Sequence, residues 1–481
     1  MLMVVLSSTV LTAGMLPISG AAAAPVRCDE ASLTTAVSAA NAHPGTTIDL
    51  AESCTYQLTT ALPAITAPTT VNGHHATLAR TQTTAPFRIL RTEAAGVSIS
   101  DLSVLGGHSA PGEDGGGILN TGTLTLTRVT VTGNSTGDGP PGTDGGSGGG
   151  VFSEGGALSI TDSTVSSNAT GSGGPWARVG TDGFPGSGGN GGGIAVRQGT
   201  LTVKHSAVTG NRTGRGGDST TAPGTEGDNW AHGGHGGGIW STRSTTVLDS
   251  SVCRNSAGDG GIGGPAGSAP SGAAGHGGPG GNGGGAYVAG DTTFAASTVC
   301  HNSSGGAGAG GSGATRGDDG NAGNGGGIWT GAGAAALDST EIADNRTGSP
   351  GAVRPGIPGS GGGVYDHTGE LTVTGGLITR NVSGQDGGGV GLHSMRKRPS
   401  AHFRITGARI AGNRAGGSGG GLAVSSVQDV VAHTLADSAI TGNTAARGGG
   451  MHLGTGNTVQ LDHDTIAGNH PDDCVPAGCQ G

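Results

Sequence analysis

Ten times between Gly115 and Asn469 the chain repeats one unit: three glycines, an aliphatic residue, a short alternating stretch, then Val or Ile followed three residues later by Asn. The triplets start at Gly115, Gly148, Gly191, Gly236, Gly283, Gly325, Gly361, Gly387, Gly419 and Gly448. The units close at Asn134, Asn168, Asn211, Asn255, Asn302, Asn345, Asn381, Asn413, Asn443 and Asn469. Self-similarity at this period marks a solenoid, because one unit cannot bury its apolar side alone and needs a neighbour stacked on it.

Within a unit the apolar residues alternate, as at Leu124 and Leu126, Leu158 and Ile160, or Leu201 and Val203, and turn residues separate the short runs. Such alternation reads as short strands. Three strands per unit, at roughly 26 to 32 residues where the linkers are minimal, match one coil of a parallel β-helix. An earlier, degenerate rung at Val97 to Gly107 keeps the spacing with Gly107 in place of Asn, so about eleven or more coils are expected. Asp162, His205, Asp249, Asp437 and His463 stand at one corner position and are assigned to turn formation. The ten Asn are expected to stack as an inward-facing ladder of amides.

Composition agrees with a thin stacked core. The 481 residues hold 107 Gly and 21 Pro but only 5 Phe, 4 Trp and 3 Tyr, too few large side chains for a conventional globular interior. A net charge of −10 excludes nucleic acid as a partner, since neutralising phosphates takes clustered Lys and Arg. The one basic run, Arg396 to Arg398, reads as a solvated loop. Residues 1–24 read as a secretory signal, ending in Ala21 to Ala24 but lacking a basic start. No later apolar stretch approaches the roughly 18 residues of a membrane span. The expected location is therefore secreted, extracellular or cell-surface associated.

Six cysteines suit an oxidising compartment. Cys253 and Cys300 occupy equivalent places in consecutive copies, and stacked rungs lie about 4.8 Å apart, within reach of a disulfide. Elimination then pairs Cys28 with Cys54 and Cys474 with Cys479. The expected organisation is signal peptide 1–24, N-terminal cap and first coils 25–96, β-helix 97–470, and a C-terminal disulfide loop 471–481. Glycine-rich inserts interrupt the β-helix at 135–147, 169–190, 212–235, 256–282, 303–324 and 346–360.

The segment from Cys28 through Leu33, Ala39-Ala40-Asn41, Pro44-Gly45 and Tyr56 to Val71-Asn72-Gly73 resembles the N-terminal segment of secreted bacterial CSLREA-domain proteins. The repeats resemble the Gly-Gly-Ala-Ile and Phe-x-x-Asn repeats of chlamydial polymorphic outer-membrane proteins. Together these resemblances imply a right-handed parallel β-helix and little chemistry. The chain departs from both: Ala31 to Ala36 reads Ala-Ser-Leu-Thr-Thr-Ala, and Val or Ile replaces the repeat Phe.

Inside the inserts Gly recurs every third residue, as at Gly305, Gly308, Gly311, Gly317, Gly320 and Gly323. That period suits polyproline-II-like segments packed side by side on their glycine edges, and predicts a second layer of stacked hairpins over the coils. After each triplet's aliphatic residue stands Phe152, Ala195, Trp240, Tyr287, Trp329 or Tyr365. Alternation points this column outward, where Phe152, Trp240, Tyr287, Trp329 and Tyr365 form either a ligand-binding stripe for sugar rings or a seam buried under the glycine layer.

Catalysis on such a scaffold needs paired carboxylates, or a base beside Ca²⁺, on neighbouring rungs. No sequence column supplies them, and Glu154 stands alone. Asp366, His367 and His393 are the nearest constellation. Gly317-Asp318-Asp319-Gly320-Asn321 faintly resembles a glycine-aspartate Ca²⁺ repeat but occurs once, and no zinc motif is present, so no metal or cofactor is assigned. The sequence thus points to a secreted, non-enzymatic β-helix that presents a repetitive surface for adhesion or polysaccharide binding. A β-helix polysaccharide lyase or glycoside hydrolase is the alternative, and an extracellular coat protein is third. The expected partner is an extracellular polysaccharide or cell-surface component.

Overall fold

A computed structural model describes residues 24–82, 85–176, 184–219, 231–265, 274–313, 315–331, 333–367, 370–393, 402–425 and 431–476. Residues 1–23 of the expected signal peptide, the Arg396 to Arg398 run and Cys479 lie outside these residues.

The chain folds as a right-handed parallel β-helix. One sheet holds twelve strands in strict coil order, from Leu90–Thr92 through Ile118–Asn120 and Val151–Ser153 to Cys474–Val475. Its pairing is parallel and in register: Val151 lies between Ile118 and Ile194, and Val364 between Ile328 and Val390. Each coil then supplies two further strands, such as Thr123–Thr127 and Thr130–Thr132, which stack on their equivalents above and below. The bend between these two strands is made by Arg128, Asp162, His205, Asp249, Asp437 and His463, each at a φ between 46° and 56°. Short Asp and His side chains tolerate this left-handed conformation, so the corner residues are there for the backbone.

The interior is filled mainly by stacked columns of aliphatic side chains. Ile118, Leu124, Leu126 and Val131 of one coil are all fully buried, as are Ile194, Val203 and Val208 two coils on. At the N-terminal end the helix Glu30–Ala42, capped by Asp29 accepting from Ser32 N at 2.7 Å, buries Leu33, Val37 and Ala40 against the first coil. The Cys28–Cys54 disulfide holds this segment, with Cα atoms 5.8 Å apart. Cys253 and Cys300 are register partners and disulfide-bonded, with Cα atoms 4.5 Å apart.

The repeat asparagines form a continuous amide ladder. Asn255 shows the pattern. Its Oδ1 accepts from Asn211 N and Asn211 Nδ2, both at 3.0 Å, and its Nδ2 donates to Val208 O at 2.9 Å and Asn302 Oδ1 at 3.1 Å. The ladder begins where Gly107 N donates to Asn134 Oδ1 and ends where Asn469 donates to Asp473 Oδ1. Asn134, the first residue of an Asn-Ser-Thr sequon, is fully buried.

The glycine-rich inserts form the second layer. Each arm of one loop bonds to arms of its neighbours: Gly217 N donates to Gly186 O, Gly261 N to Ala231 O, Gly278 N to Gly261 O, Gly308 N to Gly278 O and Gly320 N to Gly308 O, at 2.8 to 3.1 Å. A Cβ on Gly174 would come within 1.8 Å of Pro140 O, and one on Gly258 within 1.9 Å of Gly214 O. Glycine every third residue is therefore a packing requirement, because one edge of each arm touches the next backbone.

Candidate functional site

The outward middle positions of nine successive strands in the twelve-stranded sheet make one column in register: Phe152, Ala195, Trp240, Tyr287, Trp329, Tyr365, Gly391, Ala423 and His452. The glycine layer decides how much of it meets solvent. Phe152 is fully buried, with the Arg197 guanidinium 4.8 Å from its ring centroid. Trp240 and Tyr287 are half-buried, and Trp329 and Tyr365 are 8% and 7% exposed.

Histidines extend the aromatic column into a stack. His235 lies 5.0 Å from Tyr287, Tyr287 4.1 Å from Trp329, and Trp329 5.6 Å from His367, all near parallel. His367 and His393, the residues just after their strands, stack at 6.2 Å. A Cβ on Gly331, one rung below His367, would meet the Trp329 ring at 2.9 Å, so the stack needs glycine beneath it. Burial pushes the Tyr365 phenol up and the His367 and His393 imidazoles down, with each of the two histidine shifts dominated by lost hydration.

His235 is held neutral by two causes. Burial pulls it to about 4, and its Nδ1 accepts from Asn282 N at 2.8 Å, which an imidazolium cannot do. His433 is 2% exposed, stacks on Phe403 at 4.4 Å and accepts from Phe403 N through Nδ1; burial lowers it too. In both, the folded state releases a proton that the unfolded chain, titrating near 6.5, still holds. Their stabilisation is complete above pH 6.5 and lost as pH falls through the folded value. For His235 the loss is on the order of 2 to 3 kcal/mol by pH 4. Thermal melts between pH 7 and 4 should show it, and His235→Gln, which keeps an acceptor without a titrating ring, should flatten the slope.

Asp366, His367 and His393 do not converge as a catalytic trio. Asp366 shares its column with the core residues Leu392 and Val424, is 2% exposed, and lies 3.1 Å from Thr330 Oγ1. The alternation that sends Tyr365 outward turns Asp366 to the interior. His393 instead meets Ser425, with Nδ1 and Oγ 2.9 Å apart.

Where the inserts shorten to five and four residues, the glycine layer stops and the column shrinks to Gly391 and Ala423. A groove opens there. Its first part, about 350 Å³, is lined by Asn324, Ser360, Tyr365, Asp386, His393 and Ala423. Its second, about 710 Å³, continues past Asp386, Ala423 and Ser425 to Arg447, His452 and Val475. Tyr365 is thus the end wall, small residues the floor, and Asp386 and Arg447 the charged rim. Asp386 is fixed in place by accepting from Ser418 N at 2.7 Å. Asp386 and Arg447 share one repeat position, just before their Gly triplets, in copies two apart, and Ser425 stands at another position in the copy between them, so nothing contiguous in the sequence joins the three.

The Gly317 to Asn321 segment serves the glycine layer. Asp319 is 5% exposed and accepts from Gly310, Val353 and Arg354 N–H groups, while Asp318 pairs with His276 and Arg354. Among the described residues no group of three His, Cys, Asp or Glu is placed to hold a metal ion.

No family model and no curated protein matches the chain. Similar solved structures include the Dettilon tailspike protein, at 11% identity and TM-score 0.35 over 90% of this chain and 64% of its own. A point mutant of a periplasmic alginate epimerase is similar at 9% identity and TM-score 0.35, over 88% of this chain and 78% of its own. The chain spans less than two thirds of the tailspike's length, and likenesses this distant leave the function to be argued from the site.

Proposed function

We propose that this protein is an exported β-helix that binds polysaccharide in the groove between Tyr365 and His452 and so serves adhesion to a carbohydrate surface. The groove carries the reading: an aromatic wall, a floor of Gly391 and Ala423, and side-chain donors and acceptors along its length. Apolar faces with a few convergent polar groups suit sugar rings, which have both kinds of surface. Export is supported by the two disulfides, which persist in oxidising compartments. Among the described residues no helix is long and apolar enough to cross a membrane. A place among the secreted CSLREA-type and polymorphic-repeat β-helices fits the N-terminal motif and the repeat pattern, and remains part of this proposal.

The test is a glycan array followed by titration of the best polysaccharide. Tyr365→Ala should weaken binding about tenfold, the worth of one aromatic contact. Ala423→Trp, which fills the floor, should abolish it. Binding unchanged in both variants would sink the proposal. The enzyme alternative is favoured by one observation, the His393–Ser425 pair inside the groove, which has the spacing of a base and a nucleophile. Release of shorter sugars or acyl groups from the bound polysaccharide, lost in Ser425→Ala, would select that alternative.

A further inference from the structure

The same face holds a second cavity near its N-terminal end, about 400 Å³ in volume. Asp114 and His235 stand just before the first and fourth Gly triplets, Asp144 and Ser187 come from glycine-rich arms, and Arg197 comes from the third copy. Arg197 sits over the Phe152 ring and donates to Asp114 at 3.2 Å and to Glu154 at 3.0 Å. The second Asp114 oxygen accepts from Ser147 N, and Asp144 accepts from Ser187 N, each at 2.7 Å. Glu154, alone in the sequence, therefore belongs to a cluster that spans three coils.

We propose that this cavity is a second saccharide site, selective for an uncharged sugar unit, and that one polysaccharide chain occupies it and the groove together. This rests on the reading that the groove binds polysaccharide. The volume falls within the range of small-ligand sites. Sugar hydroxyls can donate to the carboxylates of Asp114 and Asp144 and accept from the guanidinium of Arg197. These planar groups are held by the bonds above before a ligand arrives, which lowers the ordering cost of binding. Three carboxylates against one guanidinium repel uronates and sulfates. The His235 ring adds no positive charge at neutral pH, because its Nδ1 accepts a backbone N–H. Four coil steps separate the Ile194 and Val364 strands, about 19 Å, and the half-buried Trp240 and Tyr287 lie between them.

Calorimetric titration with neutral gluco-, xylo- and manno-oligosaccharides of increasing length, and with oligogalacturonates, tests the proposal. Two molecules of a short neutral oligomer should bind per protein. A long one should bind once, on the order of a hundredfold tighter, because the second contact becomes intramolecular. Asp114→Asn keeps the acceptor for Ser147 N, and combining it with Ser187→Tyr fills the cavity. That variant, checked for folding by circular dichroism, should bind one short oligomer and lose the gain with length. A single short oligomer bound to the wild type and lost in Ala423→Trp overturns this proposal and leaves the groove reading standing. Oligogalacturonate displacing the neutral sugar from the cavity, or a length gain that survives the double variant, also overturns it. A protein that binds no oligomer overturns both.

Discussion

Asn255→Ala is expected to destabilise the protein by about 4 kcal/mol. The side chain makes four buried hydrogen bonds, and truncation leaves the Asn211 backbone N–H, the Asn211 amide and the Val208 carbonyl short of a partner. Each buried group left unpaired costs about 1 to 3 kcal/mol. Asn469→Ala at the ladder's end should cost about 1 kcal/mol, because that residue is half-buried and solvent can serve its partners. Denaturant titration of both variants checks the contrast, since coil stability in a solenoid is a sum of nearest-neighbour terms. Equal, small losses would mean that the ladder is incidental to stability.

Gly258→Val should open the glycine layer while sparing the coil beneath. A Cβ there would lie 1.9 Å from Gly214 O and 2.6 Å from Gly214 C, so the arm must leave its neighbour. Gly258 N donates to Gly234 O, Gly281 N to Gly258 O and Gly305 N to Gly281 O, so the loss should propagate from loop to loop. Amide exchange of Gly281 and Gly305 should accelerate by about thirtyfold or more, equivalent to roughly 2 kcal/mol of lost local protection. Strand amides such as Val252 should be unaffected. Gly306→Ala is the control in the same layer, because its Cβ would meet nothing closer than the Asp259 carboxylate at 3.1 Å and Ser349 O at 3.6 Å. Fast exchange of Gly281 and Gly305 already in the wild type would show that the layer is not held by these bonds.

The groove's chemistry and the layer's stability should separate experimentally. Tyr365 contacts both, as the last large ring under the loops and the first wall of the groove. Gly391 and Ala423 belong to the groove alone. Ala423→Trp should therefore change binding without the exchange signature of Gly258→Val.

Much of this architecture is legible in the chain because a solenoid turns sequence period into spatial neighbourhood. Residues equivalent in the repeat become contacts one rung apart, which is why the Cys253–Cys300 bridge and the ladder from Asn134 to Asn469 can be read from spacing. The functional face is less legible for a physical reason. Alternation assigns Phe152 and Tyr365 to the outside of the coil, yet exposure depends on loops whose packing is a property of neighbouring inserts, and Phe152 ends fully buried beneath Arg197. Asp366 adjoins His367 in sequence, yet the pleat sends it to the core, whereas His393 finds Ser425 32 residues away.

By itself the sequence determined the coil, its Asn ladder, its corner residues and its disulfide between rungs, since each follows from a residue recurring at one place in a stacked unit. Only the tertiary structure decided which part of the outward column is covered, where the cover ends in a groove, and that Asp114, Glu154 and Arg197 meet across three coils. Those outcomes depend on where variable loops lie against one another, and a periodic pattern holds no information about its interruptions until they are packed.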